Sequence, residues 1–307
     1  MRIVIVGQQA FGKAVLEAFA ARGDEIAGVF AAPERPGARP DPLVAAAEAR
    51  GLKVHRFPRY SSEEAQGALA ELKADIGVMA YVLLFAPPEF CAIPKHGMIQ
   101  FHPSLLPLHR GPSSIPWAII RGRRETGLSI FRPTPGLDEG PVILQKRLAI
   151  GPDDTAGSLY FDKIFPLGVT ALTEAADLVV SGRATETTQD ESQATYEGWV
   201  RDGESRINWA SHVDYVYDLI RGCNPAPGAW TTMGDSRLYL FDAKKIMAAT
   251  FGAVRGKKIG EVAMAGPNGI RILAQGGYVE VSRVRVDDGA KIAANEAGIA
   301  EGTILGG

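Results

Sequence analysis

Gly97-Met98-Ile99-Gln100-Phe101-His102-Pro103-Ser104-Leu105-Leu106-Pro107 reads as a short strand that stops at His102 and runs into an apolar corner. Side chains alternate across a strand, so Gln100 and His102 share one face. Pro103 has no N–H to offer a ladder and ends the pairing there. An imidazole is thus left where strand becomes loop. Further on, Pro135-Gly136-Leu137-Asp138-Glu139-Gly140 reads as a turn between two apolar runs. If that turn folds over the strand end, a carboxylate, an imidazole and a carboxamide meet in one cleft. Those groups suit acyl transfer with proton management.

Upstream, apolar runs at residues 2–6, 26–30, 53–57 and 75–79 read as strands, and helical stretches separate them. Asp41, followed by Pro42, has the signature of a helix N-cap, and Ser61 or Ser62 caps the next helix. This alternation predicts an α/β fold with a doubly wound, mostly parallel sheet and right-handed crossovers. Tyr81-Val82-Leu83-Leu84-Phe85-Ala86-Pro87 leaves the fourth strand at its carboxyl end, where ligands of such sheets bind. Its backbone groups could hold the edge of a flat heteroaromatic ring; a loop buried under a neighbouring helix has the same spacing.

Downstream, Ser113 or Ser114 caps a helix through residue 120, and strands at 126–131 and 141–148 flank the Asp138 turn. A long helix over 156–180 contains Pro166, which kinks or splits it. The polar stretch 181–205 reads as a linker. From residue 206 the texture changes to one helix and five short strands with Gly, Pro and Asp turns, the pattern of a small β-barrel. The expected organisation is a catalytic domain over 1–180, a linker over 181–205 and a smaller barrel domain over 206–307.

The chain has 307 residues, 46% of them apolar and 22% charged, with a net charge of −2. A sizeable core is affordable, and nothing pulls the whole molecule toward nucleic acid or an anionic membrane. No apolar run approaches the roughly 20 residues of a membrane span. Cys91 and Cys223 form no C-x-x-C and suit a reducing compartment; with no signal-peptide layout at the start, the expected location is the cytoplasm. The turn Gly7-Gln8-Gln9-Ala10-Phe11-Gly12 lacks the middle glycine of a dinucleotide fingerprint, and no acidic residue ends the second strand. No nicotinamide cofactor is therefore expected. No two histidines have metal-ligand spacing, so no metal is expected.

In acyl transfer, His102 supplies an imidazole that can take and return a proton, Asp138 orients it, and Gln100 can donate to an oxyanion. From spacing alone, a lone His at a strand end is more often a structural hydrogen-bonder, and an Asp in a Pro-Gly turn is usually there for the turn.

His102-Pro103-Ser104-Leu105-Leu106-Pro107 together with Gly136-Leu137-Asp138-Glu139-Gly140 resembles the signature of the folate-dependent formyltransferases. Further matching pieces are Lys95-His96-Gly97, His109-Arg110-Gly111, Ala194-Thr195-Tyr196-Glu197-Gly198, Ile207-Asn208-Trp209 and Pro227-Gly228-Ala229-Trp230-Thr231. The chain resembles the formyl-hydrolysing domain of 10-formyltetrahydrofolate dehydrogenase, and methionyl-tRNA formyltransferase shares the core signature. The resemblance implies a formyltransferase fold with an OB-like second domain. It places catalytic roles on His102 and Asp138, with Gln100 at the position of a transferase Asn. It sets the folate ring against Leu84, Phe85 and Ala86 and against the turn of Asp138 and Gly140. The implied donor is 10-formyltetrahydrofolate, with no NAD and no metal.

Two departures bear on the acceptor. Gln100 is longer than the transferases' Asn by one methylene, and Leu108 stands where relatives usually carry Arg. Residues 206–307 hold twelve Lys/Arg against ten Asp/Glu, and the loop at 32–40 offers only Arg35 and Arg39. A tRNA needs a basic path for its phosphates. Water or a small amine is therefore the favoured acceptor. The alternatives are a methionyl-tRNA formyltransferase and a catalytically silent folate-binding protein.

Overall fold

Strand β1 (Arg2–Gly7) sends Ile3 and Ile5 into one apolar core and Val4 and Val6 into another. A strand buried on both faces reads as a continuous apolar run, and it belongs in a sheet covered on both sides. The computed structural model describes residues 1–34, 37–248 and 256–306. Arg35, one of the two arginines weighed above, lies outside them. Contacts divide the chain into two units. The first comprises Met1–Gly111, Gly127–Leu148 and Asp162–Tyr196, and the second comprises Pro112–Thr126, Ala149–Phe161 and Glu197–Gly307.

In the first unit, β1 is joined by β2 (Glu25–Ala31), β3 (Val54–Arg56), β4 (Ile76–Ala80), β5 (Met98–His102), β6 (Glu125–Phe131) and β7 (Val142–Ala149). The order is β3-β2-β1-β4-β5-β6-β7. Strands β1 to β5 pair in parallel, and β6 runs antiparallel to β5. Helices α1 (Gln9–Ala21), α2 (Pro42–Glu48), α3 (Glu63–Glu71) and α4 (Pro88–Cys91) connect the parallel strands. Phe11, Val15, Leu16 and Phe19 of α1 share a core with Ile3 and Ile5, while Leu69 of α3 and Phe90 of α4 join Val4 and Val6. The strand order reverses between β1 and β4.

Local chemistry explains the turn after β1. Gly7 lies so close to Ala80 O that a Cβ would collide with it. Gln9 has a positive φ of 63°, and its N–H donates to both carboxylate oxygens of Asp41, at 3.1 and 2.9 Å. The same carboxylate caps α2 by accepting from Leu43 N and Val44 N. A negative charge thus already sits at this helix start, where a dinucleotide would bring its pyrophosphate.

The expected helix over 156–180 is three pieces: α6 (Ala156–Ser158) follows α5 (Ser114–Ile120), then come a π-helical stretch, Leu159–Ile164, and α7 (Phe165–Val180). Pro166 falls in the first turn of α7, directly after the π-helical stretch. Thr155 forms the capping box with Ser158 that starts α6. Ser113 occupies the N-cap position of α5 but makes no capping bond; its Oγ accepts from Val200 N at 3.2 Å.

The second unit has its own core. Strands β8 (Ala229–Met233), β9 (Ser236–Met247), β10 (Val262–Gly266), β11 (Gly269–Ala274) and β12 (Gly277–Val286) pair antiparallel in the order β10-β11-β12-β9-β8, and β13 (Ile292–Ala293) adds to β12. The short α8 (Asp202–Ser205) precedes α9 (Val213–Gly222), whose Val213, Val216 and Ile220 pack on Leu238, Leu240 and Val279. The segment read as a linker over 181–205 is not free chain up to Tyr196. It is bonded to the first unit's loops, as described next.

Candidate active site

Alternation along β5 sets up the site. Met98 lies in the core that also contains Val4, Val6 and Met79, so Gln100 and His102 follow it along the same face toward the rim. Gln100 pairs with Met79 on one side and Phe131 on the other. Beyond it opens a cleft of about 330 Å³, walled by Met79, residues 82–86, Gln100, Phe131 and residues 133–138. Its rim is apolar: Leu83, Phe85 and Leu137 are more than half exposed.

His102 and Asp138 are both buried, at 6% and 8% exposure. His102 Nδ1 lies 3.5 Å from Asp138 Oδ2. His102 Nε2 lies 2.9 Å from His109 O. A carbonyl only accepts, so that nitrogen carries a proton, and Nδ1 is the nitrogen turned to the carboxylate. Gly111 N donates to Asp138 Oδ2 at 2.9 Å. Asp138 adopts a left-handed φ of 55° in its turn, a conformation Asp tolerates better than most non-glycine residues.

The corner after β5 is fixed from within. Ser129 Oγ donates to Ser104 O at 2.7 Å and accepts from Leu106 N at 3.0 Å. Gln145 Nε2 donates to Leu106 O and to Ser129 Oγ. Ser129 stands opposite His102 across the β5–β6 ladder.

Of the residues singled out from sequence, Leu84, Phe85, Ala86, Gln100 and Asp138 line the cleft. His102 is not in its wall and meets it through Asp138. Gly140 is not in the wall either; its carbonyl accepts from Gln189 at 2.7 Å, and a Cβ there would strike Arg132 O. Sequence reasoning did not find Phe131, Pro133, Thr134, or the buried Arg110 and Gln189 behind the Asp138 turn. The motif Arg110-Gly111 was visible, but its partners lie far along the chain. Among the described residues, no cluster of three or more His, Cys, Asp or Glu could hold a metal ion. None of the described helices is long and apolar enough to cross a membrane.

The pattern of formyl transferase matches residues 1–175, and that of the formyl transferase C-terminal domain matches 200–298. The chain belongs to the formyl transferase family of enzymes. Among curated relatives, mitochondrial 10-formyltetrahydrofolate dehydrogenase of Mus musculus is 32% identical over 96% of this chain and 33% of its own length. The chain thus spans about a third of that relative. Methionyl-tRNA formyltransferase of Jannaschia sp. (strain CCS1) is 34% identical over 99% of this chain and 100% of its own length. A crystal structure of HypX from Aquifex aeolicus in complex with tetrahydrofolic acid superposes with a TM-score of 0.67 at 18% identity, covering 98% of this chain and 48% of that one. At that identity the likeness concerns the fold of this formyl transferase alone.

Proposed function

We propose that this formyl transferase takes the formyl group of 10-formyltetrahydrofolate and passes it to water or a small amine. The observation that carries this reading is that Asp138 touches His102 while its side of the turn walls an apolar cleft. The cleft is lined by Leu84, Phe85 and Ala86 and edged by backbone groups, which suits a flat, partly polar ring.

The nucleophile is held beside Asp138. As it adds to the formyl carbon, the new C–O or C–N bond forms and the carbonyl electron pair moves to oxygen. Gln100 Nε2–H donates to that oxygen from the β5 wall. The proton lost by the nucleophile enters the His102–Asp138 pair, whose free acceptor sites are Nδ1 and the carboxylate. The pair then delivers it to the folate nitrogen as the formyl C–N bond breaks. The products are tetrahydrofolate and formate, or tetrahydrofolate and a formamide. Buried, unpaired Cys91 and Cys223 support a reducing compartment, the cytoplasm.

The end-to-end match to a relative named methionyl-tRNA formyltransferase favours a second reading, with a charged tRNA as acceptor. Against it stand Leu108 and the near balance of charge in residues 206–307. The experiment is to incubate the protein with donor labelled at the formyl carbon, alone, with small amines and with methionyl-tRNA. Label in formate or a small formamide supports the first reading. Label confined to methionyl-tRNA replaces it with the second, and bound folate with unmoved label leaves only a binding protein.

A further inference from the structure

Gln189 joins a buried guanidinium to the turn that carries Asp138. Its Oε1 accepts from Arg110 Nε at 3.2 Å and from Nη2 at 2.8 Å. Its Nε2 donates to Asp138 O at 2.8 Å and to Gly140 O at 2.7 Å. The partners dictate this amide orientation, because a guanidinium only donates and carbonyls only accept. Gln189 is itself buried, and Arg110 is fully so.

Arg110 is anchored in turn. Its Nη1 and Nη2 donate to Glu191 at 2.9 and 2.6 Å, and its Nη1 also bonds Tyr196 Oη. The Tyr196 hydroxyl donates to Glu139 Oε1 at 2.8 Å, and the Glu139 carboxylate folds against Gly136. Arg110 N donates to Thr195 O at 2.9 Å, and His109 N to Thr195 Oγ1 at 2.8 Å. One stretch, 189–196, therefore grips both the loop that gives His102 its carbonyl partner and the turn that gives it its carboxylate.

We propose that Gln189 is a positioning residue for formyl transfer: by holding the carbonyls of Asp138 and Gly140 it keeps Asp138 in the left-handed conformation that turns its carboxylate to His102. The inference rests on the reading of His102 and Asp138 as the proton-handling pair. Asp tolerates the left-handed region in a turn, so the conformation alone does not aim the carboxylate, and here the ties that do are Gln189 on the backbone carbonyls of Asp138 and Gly140 and Gly111 N on the carboxylate. No other side chain of this length matches the four partners. Glu keeps the bond to Arg110 but sets an acceptor against two carbonyls, and Leu leaves Arg110 and both carbonyls without their bonds.

The test compares Gln189→Glu and Gln189→Leu with the wild type, using the full chain, for formyl release from 10-formyltetrahydrofolate across a pH series. Misplacing a reacting group by ~1 Å costs on the order of a hundredfold, so kcat at neutral pH is expected to fall about tenfold to a hundredfold in both variants. Q189E is expected to recover relative to wild type as pH falls and its carboxyl gains the proton that lets it donate to a carbonyl; Q189L is expected not to. Amide exchange over residues 136–140 is expected to quicken in Q189E at neutral pH. Wild-type turnover in both variants, a loss in Q189E that is equal at every pH, or unchanged exchange in the turn would overturn the proposal. His102→Ala and Asp138→Asn run alongside: if these keep full turnover, the reading of the pair fails. If they are inactive while Q189E tracks the wild type, only the role of Gln189 fails.

Discussion

At the residue scale, the proposed site rests on two buried side chains, His102 and Asp138. His102 ends a strand with one nitrogen satisfied by His109 O, which leaves the other for Asp138. Asp138 stands in a left-handed conformation with its carboxylate bonded by Gly111 N. Both were legible in the sequence because Pro103 ends the strand and Pro135-Gly136 makes the turn. Gln100 was legible by alternation, and it does line the cleft. Gln189 was not legible, because it sits in a polar run with no periodicity to betray a face. The rim allows a separate prediction. Phe85 is 65% exposed and borders the cleft, so a bound ring would cover it. Phe85→Ala is expected to raise KM for the folate about tenfold, roughly the 1.4 kcal/mol of a partly covered ring, with kcat changed far less. Steady-state kinetics check this, and an unchanged KM would mean that the ring does not bind over Phe85.

At the element scale, the parallel strands and their helices follow the apolar spacing closely, because inner strands such as β1 and β4 bury both faces. The sequence was less informative where bonding is irregular. Pro166 marked in the sequence that the helix over 156–180 is interrupted, but not that the interruption is a π-helical stretch over Leu159–Ile164. The polar run 181–196 became a clasp because its partners, Arg110 and the Asp138 turn, are distant in sequence. The sheet edge carries a pH dependence. His55 on β3 is buried, stacked at 4.6 Å on Phe30 of β2, and its Nε2 lacks a hydrogen-bond partner among the described residues. Burial lowers its pKa, Lys53 lowers it further and Glu71 opposes them. The folded state therefore takes up the proton later than the unfolded state, whose His titrates near about 6.5. Its contribution to stability is complete above about pH 6.5 and is lost as pH falls through the lowered folded value. Urea unfolding should show a falling midpoint over that window, and His55→Phe should flatten this part of the slope. A variant with the wild-type slope would assign the dependence to other groups.

At the scale of the whole molecule, a mostly parallel sheet with a cleft walled by Met79 of β4, Gln100 of β5 and Phe131 of β6, and a second, antiparallel sheet, agree with the fold class expected from sequence texture. What the texture could not show is that residues 112–126 and 149–161 associate with the second unit, since contact rather than composition decides it. The charge distribution predicts that any complex with tRNA is weak and loses affinity steeply with salt, as phosphate-dominated binding does. Binding titrations at two salt concentrations test this, and tight, salt-insensitive, initiator-selective binding would favour the second reading. The most direct measurement of the central claim is release of the labelled formyl group from 10-formyltetrahydrofolate by wild type, His102→Ala and Asp138→Asn, each checked for folding by its unfolding midpoint. Positioned acid–base groups contribute about 10²–10⁴-fold. The wild type should release the label, and both folded variants should be slower by at least about a hundredfold; full turnover in either folded variant would contradict the account.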